Sequence, residues 1–172
     1  MEERKGGGYP PATKGPTEPI GIDEIAPGIV VRLDPSVLLE DERVCHTQVP
    51  PVNRPGPFLC VEVEGEMTTW AGLTTTDKKS VRPTHSAGRP VGRLALKQEW
   101  RSGGPRRWRL ADQFLADGAS LWRGPKEVFV AASWQEAKVR TPNRAYVSEE
   151  GLDAVRIEIE LQRHRRHRTC ES

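Results

Sequence analysis

The run Arg54-Pro55-Gly56-Pro57 sets the tightest limit on how this chain can fold. Proline lacks the amide donor that a helix interior needs, and glycine loses the most backbone freedom on ordering. Helix therefore stops here. An apolar run, Phe58-Leu59-Cys60-Val61, begins at once, and a second, Met67 to Leu73, ends in Thr74-Thr75-Thr76. Paired as strands, the two runs bring one guanidinium and a group of hydroxyls to one mouth of a small sheet. Arginine offers a planar fork of donors, and threonine hydroxyls both donate and accept. That combination suits phosphate better than it suits a core.

The same punctuation runs along the chain. Its 16 glycines and 15 prolines favour short strands and turns over long helices. At 172 residues, one domain with tails is expected. Residues 1–19, glycine- and proline-rich with little to bury, read as a disordered N-terminal tail. The domain is placed at 20–162, and residues 163–172 read as a basic C-terminal tail. Ile29–Leu33, about Phe58–Val63 and about Thr69–Thr75 read as strands, as does Glu127–Ala132. A polar, proline-bearing loop is expected from Asp34 to Arg54. The longest unbroken apolar stretch, Val128 to Ala132, is far too short to span a bilayer. With no apolar run behind the charged N-terminus, a signal peptide is not expected and a cytoplasmic location follows. Cys45, Cys60 and Cys170 are odd in number and irregularly spaced, so no disulfide framework is expected. No CxxC or HxxxH accompanies Cys45-His46, and no metal site is assigned; Cys45 and Cys60 read as buried thiols.

Charge is the next constraint. Ten Lys and Arg residues fall between Lys78 and Arg109 against one acid, Glu99. This segment carries +9 while the whole chain carries +2, which leaves −7 for the rest. Trp100, Trp108 and Trp122 lie within it or flank it. Any one of these tryptophans reads as core. The run as a whole reads as a nucleic-acid surface, because arginine neutralises phosphate and aromatic faces stack unpaired bases.

The last element is ambiguous. From Leu152 to Gln162, Val155, Ile157, Ile159 and Leu161 alternate with polar residues, which is a strand pattern. Ser148-Glu149-Glu150 is a helix start, with an N-cap and acids at the positive end of the dipole.

Taken in order, Gly28-Ile29-Val30-Val31-Arg32-Leu33-Asp34-Pro35, Arg54-Pro55, Leu73-Thr74, Pro83-Thr84-His85 and Leu110-Ala111-Asp112-Gln113 resemble the MazF/PemK toxins of toxin–antitoxin pairs. The resemblance covers about residues 27–162. It implies a mainly β, β-rich α+β chain: a small SH3-like barrel of the MazF/PemK/CcdB type with a C-terminal helix. The implied activity is a metal-independent endoribonuclease on single-stranded RNA, with no cofactor, acting as a homodimer neutralised by a cognate antitoxin, with no membrane partner. Arg54 then matches the family's catalytic arginine and Thr74 or Thr75 its catalytic threonine. Where the family carries an acid just before Arg-Pro, this chain has Thr47 to Asn53 without one. The segments 78–109 and Trp134–Tyr146 read as insertions.

Metal-free cleavage needs a proton acceptor and stabilisation of the phosphorane charge. Arg54 suits the second role, and Thr74 or Thr75 would hydrogen-bond a phosphate oxygen. His46 is the candidate base, since histidine titrates near neutrality. Nucleic-acid contact is assigned to Lys78, Lys79, Arg82, Arg101, Arg106, Arg107 and Arg109, with Trp108 and His85. A catalytically inactive nucleic-acid-binding module and a CcdB-like non-enzymatic gyrase poison are the alternatives.

Overall fold

Ile29, Gly56 and Met67 each open a strand just beyond a helix-breaking glycine or proline. The computed structural model of the protein describes residues 19–47, 54–74, 93–111, 113–138 and 143–171. Its strands are β1 (Ile29–Leu33), β2 (Cys45–His46), β3 (Gly56–Glu64), β4 (Met67–Thr74), β5 (Arg93–Ala95), β6 (Arg101–Gly103), β7 (Leu115–Pro125) and β8 (Ala145–Val147). The helices are α1 (Pro35–Leu39), α2 (Arg106–Leu110), α3 (Lys126–Ala132) and α4 (Glu149–Glu171). All strands join one antiparallel sheet in the order β2-β7-β4-β3-β1-β8-β6, with β5 also on β7. Among the described residues its two ends do not pair, so the sheet is open. The protein is mainly β, closed off by a C-terminal helix.

Alternating side chains fill two cores, one on each face of the sheet. Val30, Leu59, Val61, Ala71 and Leu73 point to one face, where Leu152, Val155 and Ile159 of α4 cover them. Ile29, Val31, Phe58, Cys60 and Trp70 point to the other, beneath Val128, Phe129 and Ala132 of α3. Phe129 stacks on Trp70, with ring centroids 5.1 Å apart.

Two irregularities in the ladder shape the molecule. In β3, Val61 falls at a break in register between Cys60 and Glu62. Its carbonyl accepts from Arg156 Nε and Nη2 of α4, at 3.1 and 2.8 Å. In β7 the break is larger. Ala71 pairs with Leu121 and Leu73 with Ala116, so Asp117 to Ser120 stand opposite Gly72 alone. Such a bulge re-aims side chains. Thr47 clamps it: its hydroxyl donates to Ala119 O at 2.7 Å and accepts from Leu121 N at 2.9 Å.

Several expectations change. Glu127–Ala132 lies in α3, not in a strand. Its apolar run is continuous, so periodicity could not separate the two, and packing on Trp70 decided. Leu152–Gln162 is helix. Leu152, Val155, Glu158, Ile159 and Gln162 are buried along one stripe, while Ile157 and Leu161 are 63% and 49% exposed. The period of two came from adding these exposed residues to the buried ones. Ser148 caps the helix, its hydroxyl accepting from Gly151 N at 3.2 Å. The expected tail from residue 163 continues this helix to Glu171. The loop from Asp34 to Arg54 holds α1 and β2. Asp34 caps α1 by accepting from Ser36 N at 3.0 Å, with Pro35 at the first helical position. Cys45 is exposed rather than buried, while Cys60 is buried. Residues 1–18 of the expected N-terminal tail lie outside the described residues. No helix among the described residues is long and apolar enough to cross a membrane.

Candidate active site

A cleft of about 640 Å³ opens on the face of the sheet that carries Val30. Each wall has a local reason to be there. Val30 and Arg32 share one face of β1 because side chains alternate along a strand. Arg54 to Phe58 enter at the start of β3, where Pro55 and Pro57 keep the backbone extended. Gly72 to Thr74 enter from the end of β4, antiparallel to β3. The β7 bulge delivers Asp117 and Ser120, and β5 delivers Arg93. Pro105, Arg107 and Trp108 form the wall from the start of α2. Glu136 comes from a short 3-10 turn, Ser133–Lys138.

Four arginines (Arg32, Arg54, Arg93, Arg107) and two acids (Asp117, Glu136) are thus among the residues that line the cleft. The carboxylates are anchored differently. Asp117 Oδ1 accepts from Ala119 N at 3.0 Å within the bulge, and Oδ2 lies 3.9 Å from Arg93 Nε. Glu136 rests on the edge of β1. The partner strand β8 reaches only Ile29 and Val30, so the Arg32 amide lies beyond it and donates to Glu136 Oε1 at 3.0 Å. Arg144 lies 3.8 Å from Glu136 Oε2 but is held by Glu24, at 2.8 and 3.1 Å. Burial raises the pKa of Glu136. The Arg32 amide and the charges of Arg144 and Arg32 oppose that rise, and Glu24 adds to it.

Arg54 and Thr74, paired by the sequence, both line this cleft; Arg54 is exposed and Thr74 half-buried. His46 does not line it. That histidine lies on β2 with its ring 4.9 Å from the Trp122 ring, packed against the second core. Arg101 is turned inward. Its Nη1 and Nη2 donate to Trp108 O and Ala111 O at 2.8 and 2.9 Å, and burial lowers its pKa. With both nitrogens committed to backbone, it is not a phosphate contact. Trp108 is 3% exposed, donates Nε1 to Ser102 O at 3.0 Å and packs on Phe114. It lends the cleft an edge rather than an open stacking face. Arg107 lines the cleft, while Arg106 and Arg109 are exposed on α2. Thr75, Lys78, Lys79, Arg82 and His85 lie outside the described residues. Of the five tryptophans, Trp134 is the exposed one, at 66%.

Five polar residues of the cleft were assigned to no site from the sequence: Arg32, Arg93, and then Asp117, Ser120 and Glu136. Arg32 and Arg93 stood in segments already singled out as a strand and a basic run; the other three did not. For Asp117 and Ser120 no signal existed, because a bulge is set by register. For Glu136 the signal was position, in a segment read as an insertion. Among the described residues, no group of three or more His, Cys, Asp or Glu side chains is placed to hold a metal ion. No family model, curated protein or solved structure matches the chain.

Proposed function

We propose that this protein is a toxin-like endoribonuclease that cleaves single-stranded RNA without a metal. The observation that carries the reading is that Arg54, just before β3, and Thr74, at the end of β4, line one arginine-rich cleft. The surrounding Arg32, Arg93 and Arg107 supply the positive field that a polyanion needs. The open sheet with its closing helix is taken as a relative of the small SH3-like barrel that the MazF/PemK resemblance implies. A homodimer and a cognate antitoxin that covers the cleft belong to the same proposal.

In the reaction, the 2′-hydroxyl of one nucleotide attacks the adjacent phosphorus. Negative charge then grows on the non-bridging oxygens. Arg54 stabilises that charge and Thr74 hydrogen-bonds one of the oxygens. Removing one such contact typically costs about 10²–10³ in rate. Arg54→Ala is therefore expected to lose about that factor on a mixed single-stranded RNA in EDTA, read on a denaturing gel. An Arg54→Ala protein as active as wild type refutes the assignment. A mobility shift without cleavage by wild type indicates a binding module, and neither cleavage nor shift points to a protein target such as gyrase.

A further inference from the structure

The cleft has cations for the phosphorane but, with His46 elsewhere, no assigned proton acceptor. The family's acid before Arg-Pro is absent as well, since Thr47 to Asn53 contain no carboxylate. A carboxylate nevertheless lines the cleft, delivered from a distant segment. We propose that Glu136 is the general base of this site, taking the proton from the attacking 2′-hydroxyl. The inference rests on the endoribonuclease reading above.

Geometry selects Glu136 over Asp117. Asp117 closes the β7 bulge through Ala119 N and faces Arg93. Among the described residues, Glu136 accepts a hydrogen bond through Oε1 alone, from the Arg32 amide at 3.0 Å. Its Oε2 has Arg144 at 3.8 Å, longer than a hydrogen bond, because that guanidinium gives Nε and Nη2 to Glu24. Glu136 is thus held in place while one oxygen keeps lone pairs for a proton. Burial, which raises its pKa, makes it a stronger base than a solvated carboxylate. The charged groups around it are Arg32, Arg144 and Glu24, with Arg54, Arg93, Arg107 and Asp117 lining the same cleft.

The 2′-O–H proton passes to Glu136 as the O2′–P bond forms. The P–O5′ bond breaks, and the departing 5′-oxygen takes a proton from water. A 2′,3′-cyclic phosphate and a 5′-hydroxyl result, and Glu136 returns its proton to solvent.

The test is Glu136→Gln, which keeps an oxygen for the Arg32 amide and removes the proton acceptor. Turnover of single-stranded RNA is measured across pH for wild type, Glu136→Gln, Glu136→Asp and Arg54→Ala, with KM and kcat separated. Glu136→Gln is expected to lose about 10²–10⁴ in kcat with KM little changed. Wild-type kcat is expected to fall on the acid side as Glu136 becomes protonated. That limb should vanish in Glu136→Gln and persist in Glu136→Asp at reduced rate. A folded Glu136→Gln protein that keeps wild-type kcat, or whose residual rate keeps the acid limb, overturns the assignment. Wild type that leaves RNA uncut overturns both proposals, whereas wild type silenced by Arg54→Ala but not by Glu136→Gln overturns this one alone.

Discussion

Single residues here owe their chemistry to what surrounds them. Cys60 is fully buried, and desolvation pushes its thiol up to about 12. Cys45 sits exposed on the edge strand β2. Iodoacetamide at pH 8 is therefore expected to alkylate Cys45 and spare Cys60 in the native protein, as read by peptide mapping. Modification of Cys60 before unfolding would refute its burial. Glu136 follows the same logic with the opposite use. Its raised pKa means that the fold disfavours the ionised carboxyl relative to the protonated one. The stability this group contributes is greatest below its unfolded pKa and falls as pH rises through the folded value. A neutral glutamine should thus melt no lower than wild type at pH 7, so lost activity in that variant would not reflect unfolding.

At the scale of elements, the joints carry the prediction. The helix α4 is tied to the sheet where β3 slips register, by Arg156 on the Val61 carbonyl. A partly buried acceptor left without its donor costs about 1–2 kcal/mol. Arg156→Ala is expected to lower the unfolding free energy by that amount, read as a lower urea midpoint at unchanged slope, with Arg156→Lys between. An unchanged midpoint would show that water replaces the guanidinium. A second joint, β6 against β8, depends on Gly103. Its φ of 65° is left-handed, and a Cβ there would run into the Arg144 carbonyl. Gly103→Ala is expected to destabilise by about 2 kcal/mol or more. Since Arg144 stands beside both Glu24 and Glu136, the same change should also lower turnover. Wild-type stability in Gly103→Ala would mean that β6 can shift without loss.

Across the whole molecule, a formal charge of +2 conceals an uneven field. The cleft collects guanidinium groups from β1, the start of β3, β5 and α2. If Arg32, Arg54 and Arg107 each neutralise a phosphate, the logarithm of RNA affinity should fall with that of salt at a slope of about −2. Arg107→Ala should flatten that slope by about 0.7, as measured by fluorescence anisotropy on a single-stranded oligonucleotide. A salt-independent affinity would count against an electrostatic cleft.

Arg54, Thr74 and the strands around them were legible in the sequence, because proline, glycine and runs of apolar residues act locally. Ser148 was legible as a cap for the same reason. The helical state of Lys126–Ala132 was not, since a short apolar run suits either state until Trp70 packs on Phe129. The inward turn of Arg101 was also hidden, because charge says nothing about which way a side chain turns, whereas Trp108, read as core when taken singly, is core. Local sequence thus located β1, β3 and β4 and put Arg54 and Thr74 on the same side of the sheet, while the other five strands carried no such signal. Tertiary packing removed His46 from the cleft and brought in Arg32, Arg93, Asp117, Ser120 and Glu136. Those placements depend on strand register and on where β8 leaves β1 uncovered, long-range features that no local pattern encodes.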